Sequence, residues 1–306
     1  MGVIGIDTSN YTTSVAFFDG TGGENCSKLL PVKPGELGLR QSDAVFAHIK
    51  SLPELSGRLF SHVRDEIRAV GVSTRPRAVE GSYMPCFLVG LSHATLLSNA
   101  LHVPLVEVSH QQGHVAASLW SAGHLELMDA PHLAWHLSGG TTELLLVEPE
   151  GKLVKCTKIG GTTDISAGQL IDRTGQLLGL PFPSGKHLDV LSREAAGKDF
   201  FRVKCKDMTF SFSGMQNKVQ QYFEANGDPA ETAAYALRCV AYGVFHATQQ
   251  ALKAYPGLPV VFSGGVASNT LLRQVLEPLN PIFAQPQYST DNAMGVAVLA
   301  SRCTEV

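Results

Sequence analysis

One pattern in this chain occurs twice, and it limits the folds open to it. Val3-Ile4-Gly5-Ile6 reads as a buried strand, Asp7 to Thr13 as a polar turn, and Ser14-Val15-Ala16-Phe17-Phe18 as a second strand closed by Asp19-Gly20. About 130 residues on, Leu133-Ala134-Trp135-His136-Leu137 is followed by Ser138-Gly139-Gly140-Thr141-Thr142 and Glu143-Leu144-Leu145-Leu146-Val147, closed by Glu148-Pro149-Glu150-Gly151. A repeated strand–polar turn–strand unit implies two similar α/β lobes facing each other, each supplying one turn to a shared cleft. Gly139 and Gly140 would let a ligand approach backbone amides closely. The 306 residues, 44% hydrophobic and 17% charged, suit compact cores rather than disorder.

Other function classes recede on composition. Six cysteines are scattered without a C-x-x-C pair, against zinc fingers and disulfide frameworks and for a reducing, cytoplasmic setting. The N-terminus lacks a basic signal region, and no apolar run reaches the roughly 18 residues of a membrane span. A net charge of -3 does not advertise nucleic-acid binding, so polynucleotide contact needs a local basic patch or a basic partner.

Between the two copies, helical periodicity over 42–68 contains Pro53, which predicts two helices, and 84–101 reads as an apolar helix. The strand Leu105-Val106-Glu107-Val108 then runs into His110-Gln111-Gln112-Gly113-His114. On a helix the two imidazoles stand about 6 Å apart on one face and can share a transition metal. His132 and His136 have the same spacing but read as strand, where about 13 Å separates them. The first pair sits at a strand's C-terminal end, where α/β folds bind ligands. His110 has no Glu beside it, as the H-E-x-x-H of a metalloprotease requires, so the chain is not read as a protease. Asp291, in Ser289-Thr290-Asp291-Asn292-Ala293 at the start of the last helix, is a candidate third ligand.

The second copy leads to a helix from Ala167 to Leu178 that carries Asp172, then to Leu180-Pro181-Phe182-Pro183-Ser184-Gly185. An aromatic–serine run, Phe210 to Met215, precedes a long apolar helix over 231–254. Val260-Val261-Phe262-Ser263-Gly264-Gly265-Val266-Ala267-Ser268-Asn269 is a strand feeding a Gly-Gly turn, a type of element that suits a purine.

Taken in order, I-G-I-D-T-S, H-x-x-G-H, S-G-G-T-T, A-G-x-x-x-D-R, L-G-L-P-F-P-x-G, F-S-F-S-G, S-G-G-V-A-S-N and S-T-D-N-A resemble the Gcp/TsaD family, from residue 3 to about 299. That family makes the threonylcarbamoyl modification of adenosine 37 in tRNAs reading ANN codons, and was once called a glycoprotease family. The resemblance implies an actin-like/Hsp70-like (ASKHA) ATPase fold, α/β, with two duplicated lobes around a nucleotide cleft. It implies a metal-dependent acyltransferase in which His110, His114 and Asp291 hold one divalent Fe or Zn. His136, Leu137, Ser138, Gly139 and Gly140 would contact threonylcarbamoyl-AMP or another adenine nucleotide. Asp172, Gly185 and Asp189 match ribose-contacting positions, and Asn269, after Gly264-Gly265, an adenine-side contact. Expected partners are tRNA, presented with accessory TsaB-like and TsaE-like proteins, and a homo- or heterodimer, with no membrane. The expected division is an N-terminal lobe over 1–104, with the last helix at about 291–306 packing back on it, and a C-terminal lobe over 105–290 carrying the metal and nucleotide motifs.

The chain departs from the family at named places. Arg75-Pro76-Arg77-Ala78-Val79-Glu80 stands where members commonly have Gly-Pro-Gly-Leu, Gln112 where Glu is frequent, and Thr141 where His or Asn is usual. Around 164 to 169 only Asp164 remains of an acidic cluster, with Gln169, and Asn10-Tyr11-Thr12 replaces Cys-Asp-Glu. These departures keep two other readings open: a paralogue that transfers a related carbamoyl group to another acceptor, and a non-catalytic partner of the true synthase.

Overall fold

The computed structural model describes residues 1–9, 11–31 and 39–304, so Asn10 of the first turn lies outside the described residues. By contact the chain forms two compact units, Met1–Ala130 with Glu148–Cys156 and Asp291–Val306, and Pro131–Val147 with Thr157–Thr290.

In the first unit β1 (Gly2–Thr8), β2 (Thr12–Phe18), β3 (Gly23–Leu29), α1 (Gln41–His62), β4 (Ile67–Arg75), α2 (Phe87–Leu101), β5 (Leu105–Ser109) and α3 (His110–Ala122) follow one another. The strands order as β3-β2-β1-β4-β5, with β1 antiparallel to β2 and parallel to β4. β1 is buried on both faces, as its unbroken apolar run requires. Its even residues Ile4 and Ile6 pack with Leu52, Leu55 and Leu59 of α1 and Val89 of α2. Its odd residues, Val3, Gly5 and Asp7, therefore share the opposite face. Pro53 does not divide the helix: α1 is continuous, with Pro53 on its exposed side while Leu52, Leu55 and Leu59 hold the inner stripe. Tertiary packing outweighs the one backbone bond that the ring removes.

The second unit contains β6 (His132–Leu137), most of β7 (Thr142–Glu150) and β8 (Leu153–Thr162), α4 (Ala167–Leu177), α5 (Gly185–Leu191), β9 (Cys205–Lys206), β10 (Thr209–Phe210), α6 (Ser213–Asn226), α7 (Pro229–Ala254), β11 (Val260–Ser263), α8 (Thr270–Leu276) and β12 (Ile282–Phe283). The strands order as β12-β11-β6-β7-β8-β10-β9. The β6–β7 hairpin pairs Leu133 with Leu146 and Leu137 with Thr142, the second copy of the opening pattern. His132 and His136 both lie in β6, so that pair is extended, as read. Helix α7 begins on Asp228, whose carboxylate accepts from the Ala230 and Glu231 amides, with Pro229 in the first turn. It covers the core of Leu133, Trp135, Leu144, Phe210 and Phe262, and Trp135 Nε1 donates to Thr248 Oγ1 at 2.9 Å.

The last helix, α9 (Met294–Thr304), returns to the first unit and packs on β1, β4 and α3. The division expected after residue 104 differs from the observed one. β5 pairs in parallel with β4, and α3 packs on α9, so 105–130 belong with the first unit. The His110–His114 pair and the residues expected at the nucleotide therefore belong to different units. Asp291 precedes α9 instead of starting it, because Asn292 Oδ1 accepts from the Met294 amide. All six cysteines are free thiols, and no helix among the described residues is long and apolar enough to cross a membrane.

Gly5 and Gly71 face each other across β1 and β4, and α9 lies against both. A Cβ at Gly5 would stand 2.5 Å from Ala293 O and 2.7 Å from Ala297 N, both backbone atoms. Gly5→Ala is expected to lower the urea unfolding midpoint, at a cost of about 1–3 kcal/mol. Gly139→Ala, whose Cβ would meet nothing within 4 Å, is expected to stay within about 0.5 kcal/mol of the parent.

Candidate metal centre and nucleotide turns

Ser109 ends β5 and caps α3. Its Oγ accepts from the Gln112 amide at 3.2 Å while Gln112 Oε1 accepts from the Ser109 amide at 2.9 Å, a complete capping box. This fixes the first turn of α3 and directs His110 and His114 to one side. His110 Nε2 and His114 Nε2 lie 2.9 Å apart, and Asp291 Oδ1 is 3.1 Å from the latter and 3.5 Å from the former. Four-coordinate zinc with bonds of about 2.0–2.1 Å has ligand–ligand edges of about 3.3 Å. The three donor atoms already form a triangle of that size. Two imidazole nitrogens and one carboxylate oxygen suit Zn or Fe, and three protein donors leave positions open for a substrate.

Behind the triad stands Asp7, which the sequence reading placed in the first turn without a role of its own. It is fully buried, on the odd face of β1, and its Oδ1 accepts from His110 Nδ1 at 2.9 Å and from Ser73 Oγ of β4 at 2.5 Å. Donating Nδ1–H to Asp7 leaves the Nε2 lone pair of His110 for the space shared with His114 and Asp291. A carboxylate behind a histidine is how proteins fix the tautomer and raise the basicity of a metal-binding imidazole. The available signal was the alternation of β1, which puts a lone Asp on a buried strand face. Ser9 Oγ donates to Asp291 Oδ2 at 3.3 Å and steadies the other side.

The electrostatics agree with the geometry. Burial works against a charged His110, but the Asp7 and Asp291 carboxylates outweigh it and lift its pKa well above the ordinary histidine value. Burial would likewise raise Asp291, yet hydrogen bonds from His110 and His114 hold it well below the carboxylate range. Asp7 is lowered as well, by His110 and Ser73 against its burial.

In the second unit the Ser138–Thr141 turn is closed by Ser138 N to Thr141 O at 2.8 Å and Thr141 N to Ser138 Oγ at 3.0 Å. The first turn of α4 holds it from one side: Ser166 Oγ donates to Gly139 O and the Gly168 amide to Ser138 O. Gly139 and Gly140 keep open space where a Cβ would be. Gly264, at φ +92°, lies against the backbone of Leu137, and His136 Nδ1 is 3.4 Å from Ser263 Oγ, so β11 brings its Gly-Gly turn to this hairpin. Asp172 accepts the Ser184 amide at 2.8 Å beside Gly185, and burial raises its pKa. Asp189 is heavily engaged. It accepts from Asn269 Nδ2 at 2.7 Å, from the Thr270 amide at 2.8 Å and from Arg193 at 2.8 Å. Asn269 Oδ1 in turn caps α8 by accepting from the Leu272 amide. Asp189 and Asn269 thus hold the 264–270 turn in shape.

Two of the departures are helix caps. Gln112 Nε2 also donates to Val154 O at 2.7 Å, which a Glu cannot do. Gln169 completes a second capping box with Ser166 at the start of α4. Asp164 caps α6 through the Phe212 and Ser213 amides and the Ser211 hydroxyl, contacts that push its pKa down against burial.

Asp7→Asn keeps the shape of the side chain and removes its charge. Chelator competition with Zn(II) or Co(II) is expected to show a 10- to 100-fold loss of affinity, roughly, and His110→Ala no stoichiometric metal. In the parent, affinity should tighten as pH rises, because His110, with its pKa raised by Asp7 and Asp291, keeps a proton that must leave before Nε2 can bind. Equal affinity for Asp7→Asn and the parent would remove Asp7 from the site. In the metal-free protein the raised His110 adds stability below an unfolded pKa of about 6.5, lost as pH climbs through the folded value.

A sequence model of the family described as TsaD, tRNA N6-adenosine threonylcarbamoyltransferase, matches residues 41–298. The protein of that name from Carboxydothermus hydrogenoformans is 34% identical over 251 residues, covering 76% of this chain and 70% of that protein. The one from Thermosipho africanus is 30% identical over 315 residues, covering 97% and 92%. Among solved structures, full-length HypF in its phosphate- and nucleotide-bound form aligns with a TM-score of 0.60 at 15% identity, over 100% of this chain and 47% of that one. Component A of (R)-2-hydroxyglutaryl-CoA dehydratase from Acidaminococcus fermentans aligns at 0.58 and 15%, over 99% and 98%. A ROK family glucokinase from Streptomyces griseus aligns at 0.55 and 11%, over 99% and 100%. These likenesses carry the fold alone, and it is the actin-like ATPase fold. With most of its length matched by the family model, the chain belongs to the tRNA N6-adenosine threonylcarbamoyltransferase family.

Proposed function

We infer that this chain transfers the threonylcarbamoyl group from threonylcarbamoyl-AMP to N6 of adenosine 37 in tRNAs reading ANN codons. The observation that carries the reading is the convergence of His110, His114 and Asp291 on one point, with Asp7 orienting His110. A structural pair of histidines has no need of that geometry. A divalent Fe or Zn held there supplies Lewis acidity to the acyl carbonyl. In the transfer, N6 bonds to the carbamoyl carbon, the bond from that carbon to the phosphate oxygen breaks, N6 gives up a proton and AMP leaves.

The chain's own residues bind and orient. The Gly139 and Gly140 amides, on residues with open space where side chains would be, are the donors offered to the leaving phosphate. Asp172, with Gly185, takes the ribose. Asp189 and Asn269 act by holding the 264–270 turn flat for adenine, since their polar atoms are engaged with each other and with α8. The acceptor base must leave its stack to reach the acyl carbon. The enzyme works in the cytoplasm, with TsaB-like and TsaE-like accessory proteins and as part of a homo- or heterodimer. A second reading, a paralogue with another acceptor, is favoured by the Arg75–Arg77 loop. Its Pro76 carbonyl accepts the Gln111 amide at 3.0 Å, which holds the backbone of a loop carrying two Arg against the first turn of α3, where the family has glycines.

The deciding experiment incubates the purified chain with threonylcarbamoyl-AMP, an unmodified ANN-decoding tRNA and the accessory proteins, with nucleoside analysis by mass spectrometry. Modified adenosine is expected from the parent, with at least about a hundredfold less from His114→Ala. Release of AMP without modified tRNA would replace this reading with the second.

A further inference from the structure

Residues 195–204 have no regular structure, yet they are tied to α7 along their length. The Ala196 and Gly197 amides donate to Glu231 Oε1 at 2.8 Å each, the Phe201 amide to Cys239 Sγ at 3.2 Å, and Arg238 to Asp199 O at 3.3 Å. Phe200 stacks on Tyr242, with ring centroids 4.1 Å apart and planes 12° from parallel. Val203 is buried. What faces outward is therefore held in place. Lys198, Arg202, Lys204 and Lys206 are all exposed, and none makes an ion pair among the described residues. Phe200 and Phe201 are 36% and 40% exposed, and Lys218 Nζ lies 5.6 Å from the Phe201 ring centre. Within 198–207 two carboxylates, Asp199 and Asp207, stand against the four cations, and Asp199 accepts from Tyr222 Oη at 3.5 Å.

This is a local excess of positive charge on a chain whose net charge is -3. Cations alone would suit any anion. Exposed aromatic rings between them narrow the choice, because an unstacked base offers a flat π-face to the ring while its phosphates reach the cations. An acidic polypeptide would satisfy the charges and leave the rings in water. We propose that residues 198–206 form a contact surface for looped or single-stranded RNA, with Arg202, Lys204 and Lys206 on phosphates and Phe201 stacking on a base. The proposal rests on the reading of tRNA as acceptor, and it supplies the basic patch that an acidic chain needs to dock a polyanion.

The test is fluorescence anisotropy of an in vitro transcribed ANN-decoding tRNA with the full chain, across a salt series. Replacing Arg202, Lys204 and Lys206 together by Ala should flatten the slope of log affinity against log salt by about 0.7 for each phosphate left without its cation, and weaken binding roughly 10- to 100-fold near 0.1 M salt. Phe201→Ala should weaken binding at least about fivefold and leave the slope unchanged, while Phe201→Trp restores it. Circular dichroism and metal content matching the parent confirm that each variant is folded. Variants that keep the parent's affinity and slope overturn the surface, and modified adenosine from the parent then leaves the acyl-transfer reading standing. Polyglutamate displacing the tRNA, with Phe201→Ala binding like the parent, would assign the surface to an acidic protein instead and equally overturn the proposal.

Discussion

Helix α9 rests on β1 and β4 at a separation that glycine alone permits. Ala293 O and Val296 O occupy the places where the Cβ atoms of Gly5 and Gly71 would stand. That contact closes the first unit, bringing residues far apart in sequence onto one face of the sheet. It also sets the candidate site. The strand end that follows Gly5 carries Asp7, and the segment that leads into α9 carries Asp291. Helix α3, packed on α9, puts His110 and His114 between them. A small change in the seat of α9 would move Asp291 relative to both imidazoles, where a few tenths of an ångström decide whether three donors can share an ion.

The same constraint explains what the sequence could and could not say. Short-range signals were readable: the strand–turn–strand copies, the helix that places His110 above His114, and the extended stretch that keeps His132 and His136 apart. Asp291 is 177 residues from His114 and no spacing rule links them, so the sequence offered it only as a candidate third ligand until the family resemblance tied it to the two histidines. Asp7 was in view but was read with its turn, because its partner His110 lies 103 residues away. The division after residue 104 missed for a related reason. Strand β5 looks like the start of something new in sequence but finds its partner in β4. Pro53 predicted a break from a local rule, and the packing of one helix stripe overrode it.

Gln112 and Gln169 show the opposite error, a local signal left unused. Each stands three residues after a serine, the S-x-x-Q pattern of a capping box, and the structure forms both boxes. Read only against the family they look like eroded active-site positions. Read as caps they are two of the devices that seat α3 and α4, each at the start of a helix beside a turn of interest. Gln112 adds a bond from its amide nitrogen to Val154 O in the interior. A Glu there would keep the cap and lose the donor, burying a carboxylate against a carbonyl. The substitution is thus coupled to the 148–156 hairpin and says little against the chemistry of the triad.

Charge is the remaining argument for that chemistry. Asp7 and Asp291 both bear on His110, at 2.9 and 3.5 Å, and Asp291 also on His114 at 3.1 Å. Asp7 has no exposure at all, so its negative charge must be met inside the protein. With both imidazoles neutral the four groups carry two negative charges in a small volume, an arrangement that costs several kcal/mol unless compensated. A proton on His110 compensates one of them, which is what its raised pKa expresses. A divalent cation at the three converging atoms compensates both and keeps Nδ1–H of His110 on Asp7. The features that make the triad costly to fold without a cation are therefore the ones that would make it bind a cation tightly, and the deprotonation of His110 is the step that links the two states.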